Sequence, residues 1–301
     1  MNKNNVLSKF WGWINVAFMV AMILVMLLPY LHVLAKALND GTDTMFGGIT
    51  FYPRKLTFVN FSVLLNDASM IRAFFLSVAR VILCTILGII VQFSAAYALT
   101  RKDLPGCKQI LLFLMIPMFF NGGIIPTYLL FVKVQLINNF WVYVLPGLCT
   151  FYNILIIKSY ISASIPESIG ESAVIDGANE LIILFRIIFP LSLPVLATVA
   201  LWVAVGNWND WSTTLMYVTK EHLFTLQYKL MQLIKESERI QKLIQEAAIS
   251  RDGAGAALSL KATPESLVSA QVIVTTIPII IVYPFLQKYF IKGITLGAVK
   301  S

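Results

Sequence analysis

Four carboxylates, Glu167, Glu171, Asp176 and Glu180, crowd one short polar stretch of an otherwise apolar chain. Their grouping suggests a basic or amide-rich protein surface opposite them. A second polar set, Asn207-Trp208-Asn209-Asp210-Trp211, closes an apolar run. Amides and a carboxylate bond sugar hydroxyls, and indole faces cover the apolar faces of sugar rings. The same five residues also suit an aromatic belt at a polar helix end. Arg80 is the one clear charge inside an apolar run. A charge at mid-bilayer costs about 2.5–3.5 kcal/mol on insertion scales, so the reading is snorkelling to the interface, with substrate contact as the alternative. Asn121 lies among Pro117, Gly122, Gly123 and Pro126. Backbone freed there is tolerated only where protein or a water-filled cavity covers it, so the cluster marks either packing kinks or a pathway lining.

The elements that carry these residues are membrane spans. The 301 residues are 58% hydrophobic and 13% charged, with a mean hydropathy of +0.79; a soluble domain carries about 25% charged residues. Six runs are long enough to cross a bilayer, which takes about 20 apolar residues each: 13–34, 73–100, 110–132, 137–157, 191–210 and 270–291. The first is longer than the apolar core of a signal peptide, so it is expected to stay as a helix. The fold class is therefore all-α, a polytopic helical bundle forming one transmembrane domain over 1–301. Ten of the 23 basic residues fall in short segments on one side of the spans and twelve in much longer segments on the other. That bias places both termini and the 159–192 loop in the cytoplasm, and the 211–269 loop outside. The net charge of +8 reads as topology and attraction to membrane lipid. No basic stripe interleaves with aromatics, so nucleic acid is not an expected partner.

Both polar loops show helical patterning. In the outer one, Leu230, Leu233, Ile234, Ser237 and Ile240 recur at helical spacing, and the glycines at 253 and 255 then break the pattern. That loop reads as a lid, a docking surface for an extracytoplasmic protein, or a solvated helix. In the inner one, Ser168 and Glu171 have the spacing of a capping box. A helix is expected to end near Gly177 in a left-handed turn, and a second to run from Asn179 and stop before Pro190. A helix lying on lipid would carry lysine and arginine on its polar face; this one carries acids.

At these residues the chain resembles the permease subunits of bacterial ATP-binding-cassette importers. Their cytoplasmic signature, Glu-Ala-Ala, three residues, Gly, nine residues, then Ile-x-Leu-Pro, is matched by Glu171-Ser172-Ala173, Gly177 and Ile187-Ile188-Phe189-Pro190. Ser172 and Phe189 depart from it. Further stretches resemble the carbohydrate branch, in the second permease of a heteromeric pair: Ala95-Ala96-Tyr97-Ala98-Leu99, Asp176-Gly177-Ala178, Trp208-Asn209-Asp210, and Gln287 to Lys300. Phe120-Asn121-Gly122-Gly123-Ile124-Ile125-Pro126 is similar to the maltose, alginate and pectin-oligosaccharide group. The resemblance implies a type I importer permease fold and three kinds of partner: a second homologous permease, a dimer of ATPase subunits, and an extracytoplasmic sugar-binding lipoprotein. It implies that Glu171, Ala173, Asp176, Gly177 and Ala178 form a coupling helix seated on the ATPase. By residue type and position, Asn121, Asn207, Trp208, Asn209, Asp210 and Arg80 are the candidates for the substrate pathway.

No Gly-Lys dipeptide exists in the chain, so it cannot supply a Walker-type nucleotide site, and the energy must come from a partner. No cofactor or metal site is indicated: Cys84, Cys107 and Cys149 are far apart, and His32 and His222 stand alone. An ion-coupled carrier would need inverted repeats and mid-membrane ionisable groups; a membrane enzyme would need a clustered catalytic constellation. The nearer alternative is the same importer class carrying peptide or another small solute.

Overall fold

The structure is a computed structural model; it describes residues 3–120, 122–249 and 263–298, with side chains from 9 to 242 (121 excepted) and from 263 to 284. Among the described residues there are helices and an isolated antiparallel bridge, Asn39 with Leu56, but no strands. Among the described residues, three helical stretches are long and apolar enough to cross a membrane alone: Lys9–Ala37, Ala68–Ala98 and Pro264–Pro284. Three more qualify only as broken pairs, Cys107–Phe119 with Ile124–Lys133, Phe140–Gly147 with Phe151–Ser164, and Glu180–Leu191 with Leu193–Asn209. Counting each pair as one span gives six.

The chain divides into two compact units, residues 1–71 with 230–277 and residues 72–229 with 278–301. In the first, the Lys3–Ala37 helix is apolar on every face between residues 10 and 31, and its residues from 9 to 31 are all exposed. A helix apolar all round belongs in lipid or against other spans. Its end is anchored by polar ties. Asn60 donates to the Ala37 and Asn39 carbonyls, both at 2.9 Å, and accepts from Ser266 at 2.9 Å. Lys36 pairs with Glu265 at 2.6 Å. Around these, Ala37, Leu64 and Ala270 form a small core with Leu233 packed on it. The helix expected in the outer loop spans Leu226–Ile249; the glycines at 253 and 255 lie outside the described residues.

The second unit holds two apolar cores. One joins Phe93, Ala96, Ile154, Ile157, Ile183, Ile188, Leu196 and Val199 with Ala173 of the polar insert. The other gathers Cys84, Val142, Tyr143, Val144, Val218, Leu223 and Phe224. The break after Gly147 is sealed from within. Gln92, fully buried, donates to the Leu148 carbonyl at 3.1 Å and accepts from Asn153 at 3.1 Å. A carbonyl left over at a mid-span break needs such a donor, because lipid offers none.

Candidate functional site

The insert begins at Pro166, whose φ of −61° opens the Glu167–Ile175 helix. The capping box expected at Ser168 does not form: Pro166 starts the helix earlier, and no side chain caps it. Pro166 takes the N-cap position with extended backbone, ψ 137°, where its missing N–H costs the helix no bond. The other end is as expected. Gly177 has φ +82°, its amide donates to the Val174 carbonyl at 3.0 Å, and the Ala178 amide donates to the Ala173 carbonyl at 2.9 Å. These two bonds make a Schellman turn.

Asn179 caps the next helix by accepting from the Ile182 amide at 2.9 Å. That helix does not stop before Pro190. It widens into a π turn over Ile183–Ile188 and continues through Phe189–Leu191. The wider turn accommodates a ring that would clash with a carbonyl of a regular α-turn. The sharp change of direction, 81°, comes instead at Ser192, between Leu191 and Leu193.

Ala173 is buried and Ala178 half-buried against the core. Outward the insert shows Ile175, 85% exposed, with Val174, Leu181 and Phe185 also exposed. Two of the four carboxylates are already engaged. Glu180 pairs with Arg101 at 2.9 Å and accepts from the Tyr97 hydroxyl at 2.7 Å; Glu167 pairs with Lys102 at 2.7 Å. That bond holds the Lys102 ammonium above its ordinary pKa. Arg101 is raised as well: its partial burial works the other way, but the charge of Glu180 and a hydrogen bond to Asp103 prevail. The Glu171 and Asp176 side chains have no ion pair or hydrogen bond among the described residues. Glu171, Asp176, Val174 and Ile175 are all exposed, and the charge of Glu171 also acts on Lys102. A cleft of about 450 Å³ separates the insert from the 97–103 segment, walled by Tyr97, Arg101, Glu167, Glu171, Val174 and Ile183.

The second polar set is folded inward. Arg80 is 2% exposed, so the expected snorkelling does not occur. Its guanidinium pairs with the Asp210 carboxylate, donates to the Asp210 carbonyl at 3.1 Å, and lies 4.6 Å from the centre of the Tyr143 ring. A buried partner removes the need to reach water. Asp210 also accepts from the Ser212 hydroxyl at 2.7 Å and the Thr213 amide at 3.1 Å. Asn207 and Asn209 donate back to the Val203 and Val205 carbonyls at 2.8 and 3.1 Å. Trp208 is buried, edge-on to Phe74 at 6.2 Å. Asn121 lies outside the described residues. A nearby trough of about 670 Å³, bounded by Val81, Trp202, Trp208, Ile279 and Tyr283, has apolar walls and offers little to hydroxyls.

Sequence reasoning missed Tyr97, Arg101, Lys102, Tyr143, Gln92 and Asn153 as structural partners. Their contacts join residues 56 to 83 positions apart, and no local pattern marks such pairs. The basic run Arg101-Lys102 was visible, but only as a topology signal.

No protein-family model matches the chain. It is 31% identical, over 98% of its length and 99% of the relative's, to the "Polygalacturonan/rhamnogalacturonan transport system permease protein YtcP" of Bacillus subtilis (strain 168). Protein LplC of the same organism is 30% identical over 95% of this chain and 94% of its own. Permease AraQ of an arabinooligosaccharide transport system, from Halalkalibacterium halodurans, is 28% identical over 91% of each. Among solved structures, a chain of a bacterial ABC transporter that imports the acidic polysaccharide alginate superposes with a TM-score of 0.83 at 26% identity, covering 96% of this chain and 99% of that one. Full-length identity of this order, joined to a helical membrane fold, places the chain in one family: it belongs to the permeases of ABC transport systems.

Proposed function

We propose that this chain is one of two permeases in an ATP-driven, binding-protein-dependent importer of oligosaccharides, forming half of the pathway by alternating access. Sugar is the cargo favoured by the relatives, whose names specify polygalacturonan/rhamnogalacturonan and arabinooligosaccharides and, for the solved structure, alginate. Two of those three are acidic polymers, which makes uronate oligosaccharides the first substrates to try. Peptide cargo and ion coupling are not favoured by these likenesses.

The observation that carries the mechanism is the insert's exposed surface, which carries Glu171, Ile175 and Asp176, neither acid being in an ion pair or hydrogen bond among the described residues. Such a face suits a groove with basic and apolar walls on a separate ATPase dimer. Gly177 gives it a fixed bend, Ala173 and Ala178 fix it to the core, and Glu171 and Asp176 supply its charge. On this reading the insert and both termini are cytoplasmic, the protein resides in the cell membrane, and hydrolysis occurs in the partner. ATP closes the ATPase pair, the seated insert moves with it, and the bundle opens outward to accept sugar from an extracytoplasmic binding protein. The substrate-pathway residues remain Asn121, Asn207, Trp208, Asn209, Asp210 and Arg80, with Arg80 and Asp210 holding the wall rather than the sugar in this conformation.

The test is uptake of an oligogalacturonate mixture by vesicles carrying both permeases, the ATPase and the binding protein. ATP-dependent accumulation that is lost when this chain is omitted supports the reading. Accumulation without the ATPase subunit, or driven by an ion gradient alone, overturns it.

A further inference from the structure

Two segments that run side by side away from the insert, antiparallel in chain direction, are tied together at both ends. The Ala68–Ala98 helix carries Arg80 and Tyr97, 17 positions apart, which is about 25 Å along a helix axis. At one end Tyr97 and the adjoining Arg101 grip Glu180, the first residue of the insert's second helix, at 2.7 and 2.9 Å. At the other, Arg80 grips Asp210, which follows the last residue of the Leu193–Asn209 helix. The stretch from 180 to 209 bends by 81°, and an untied bend of that size would absorb a push instead of passing it on.

We infer that Tyr97 and Arg101 are positioning residues that strap the insert to the Ala68–Ala98 helix, so that insert, helix and the 193–209 span move as one lever. This rests on the docking role proposed above for the insert. Lys102 with Glu167 is a weaker second strap, since both side chains are largely exposed, at 80% and 67%, and water screens such pairs. Arg101 is one-third exposed and shares its carboxylate with a phenol. A partly exposed network of this kind adds little to overall stability, so changing it should leave the fold standing while freeing the bend.

The experiment measures a distance inside the lever. Spin labels go on Ala98→Cys, at the end of the Ala68–Ala98 helix, and Ser172→Cys in the insert, both exposed, after Cys84, Cys107 and Cys149 are replaced by serine. The assembled complex in lipid nanodiscs is measured with and without ATP. The strap predicts one narrow distance distribution, unchanged by nucleotide. Glu180→Arg should broaden it, and the charge swap Arg101→Glu with Glu180→Arg should narrow it again. Tyr97→Phe, which removes only a hydroxyl, should broaden it partially.

Binding-protein-stimulated uptake should fall about two- to thirtyfold in Glu180→Arg, the range seen when coupling residues are altered, and recover in the swap. A wild-type distribution that shifts with ATP, or a Glu180→Arg distribution as narrow as wild type, overturns the strap. Retention of the ATPase subunit on the purified permease is scored separately. Its loss from the wild-type complex, with narrow distances, condemns the docking role and leaves the strap standing as a structural tie.

Discussion

Arg80 donates to both the carboxylate and the backbone carbonyl of Asp210, 130 positions away. The pair fixes the end of the Leu193–Asn209 helix against the side of the Ala68–Ala98 helix. Its two members do not stand in equal surroundings. Arg80 has a side chain 3% exposed, while that of Asp210 is 22% exposed and accepts from Ser212 and Thr213 as well.

Removing the acid should therefore hurt more than removing the base. Asp210→Ala leaves a buried cation uncompensated and should cost about 3–5 kcal/mol. Arg80→Ala leaves an anion that keeps two other donors and should cost less. Thermal unfolding of the two variants and of the double variant, in one detergent, checks this: the double should be milder than the sum.

At the insert, Gly177→Ala should cost about 1–2 kcal/mol, because φ +82° is left-handed and disfavours any Cβ. Gly177→Asp adds a charge to the same strain and should abolish uptake while the permease still inserts. ATP hydrolysis should also lose its dependence on the binding protein. Normal stimulated hydrolysis in this variant would count against the docking role.

Charge reversal should separate the four carboxylates into two classes. Glu171→Lys should weaken capture of the ATPase by tens of fold, the scale of a broken charge pair at an interface. Glu167→Lys loses only an exposed tie to Lys102 and should change capture far less. Equilibrium binding of the ATPase to permease in nanodiscs reads both.

Gln92→Leu strands the Leu148 carbonyl and the Asn153 amide in the apolar interior. It should destabilise the protein by about 1–3 kcal/mol. Replacing Gln92 and Asn153 together by leucine should be less damaging than the sum, since each then leaves fewer groups unpaired. Unfolding of the three variants gives the coupling directly.

Much of this architecture is legible in the chain because its signals are local. Apolar runs reveal the spans, and a glycine following an acidic helical stretch reveals the turn at Gly177. What escapes is governed by partners distant in sequence or by rules that compete. Pro166 overrides the Ser168 capping signal by starting the helix first. Pro190 looks like a stop, but a π turn over Ile183–Ile188 carries the helix past it. Arg80 looks like a snorkelling charge until Asp210 is brought beside it. Two of the insert's four acids look free to a reader of the sequence, yet Arg101, Lys102 and Tyr97 already hold them.

The most direct test of the central claim is a cross-link from Ile175, the most exposed apolar residue of the insert. A photoreactive probe on Ile175→Cys, in the complex assembled in inside-out vesicles, should attach to the ATPase subunit. It should also be shielded from a water-soluble thiol reagent whenever the ATPase is bound. A probe that labels only from the opposite face of the membrane, or that reacts freely with the ATPase in place, would contradict the account.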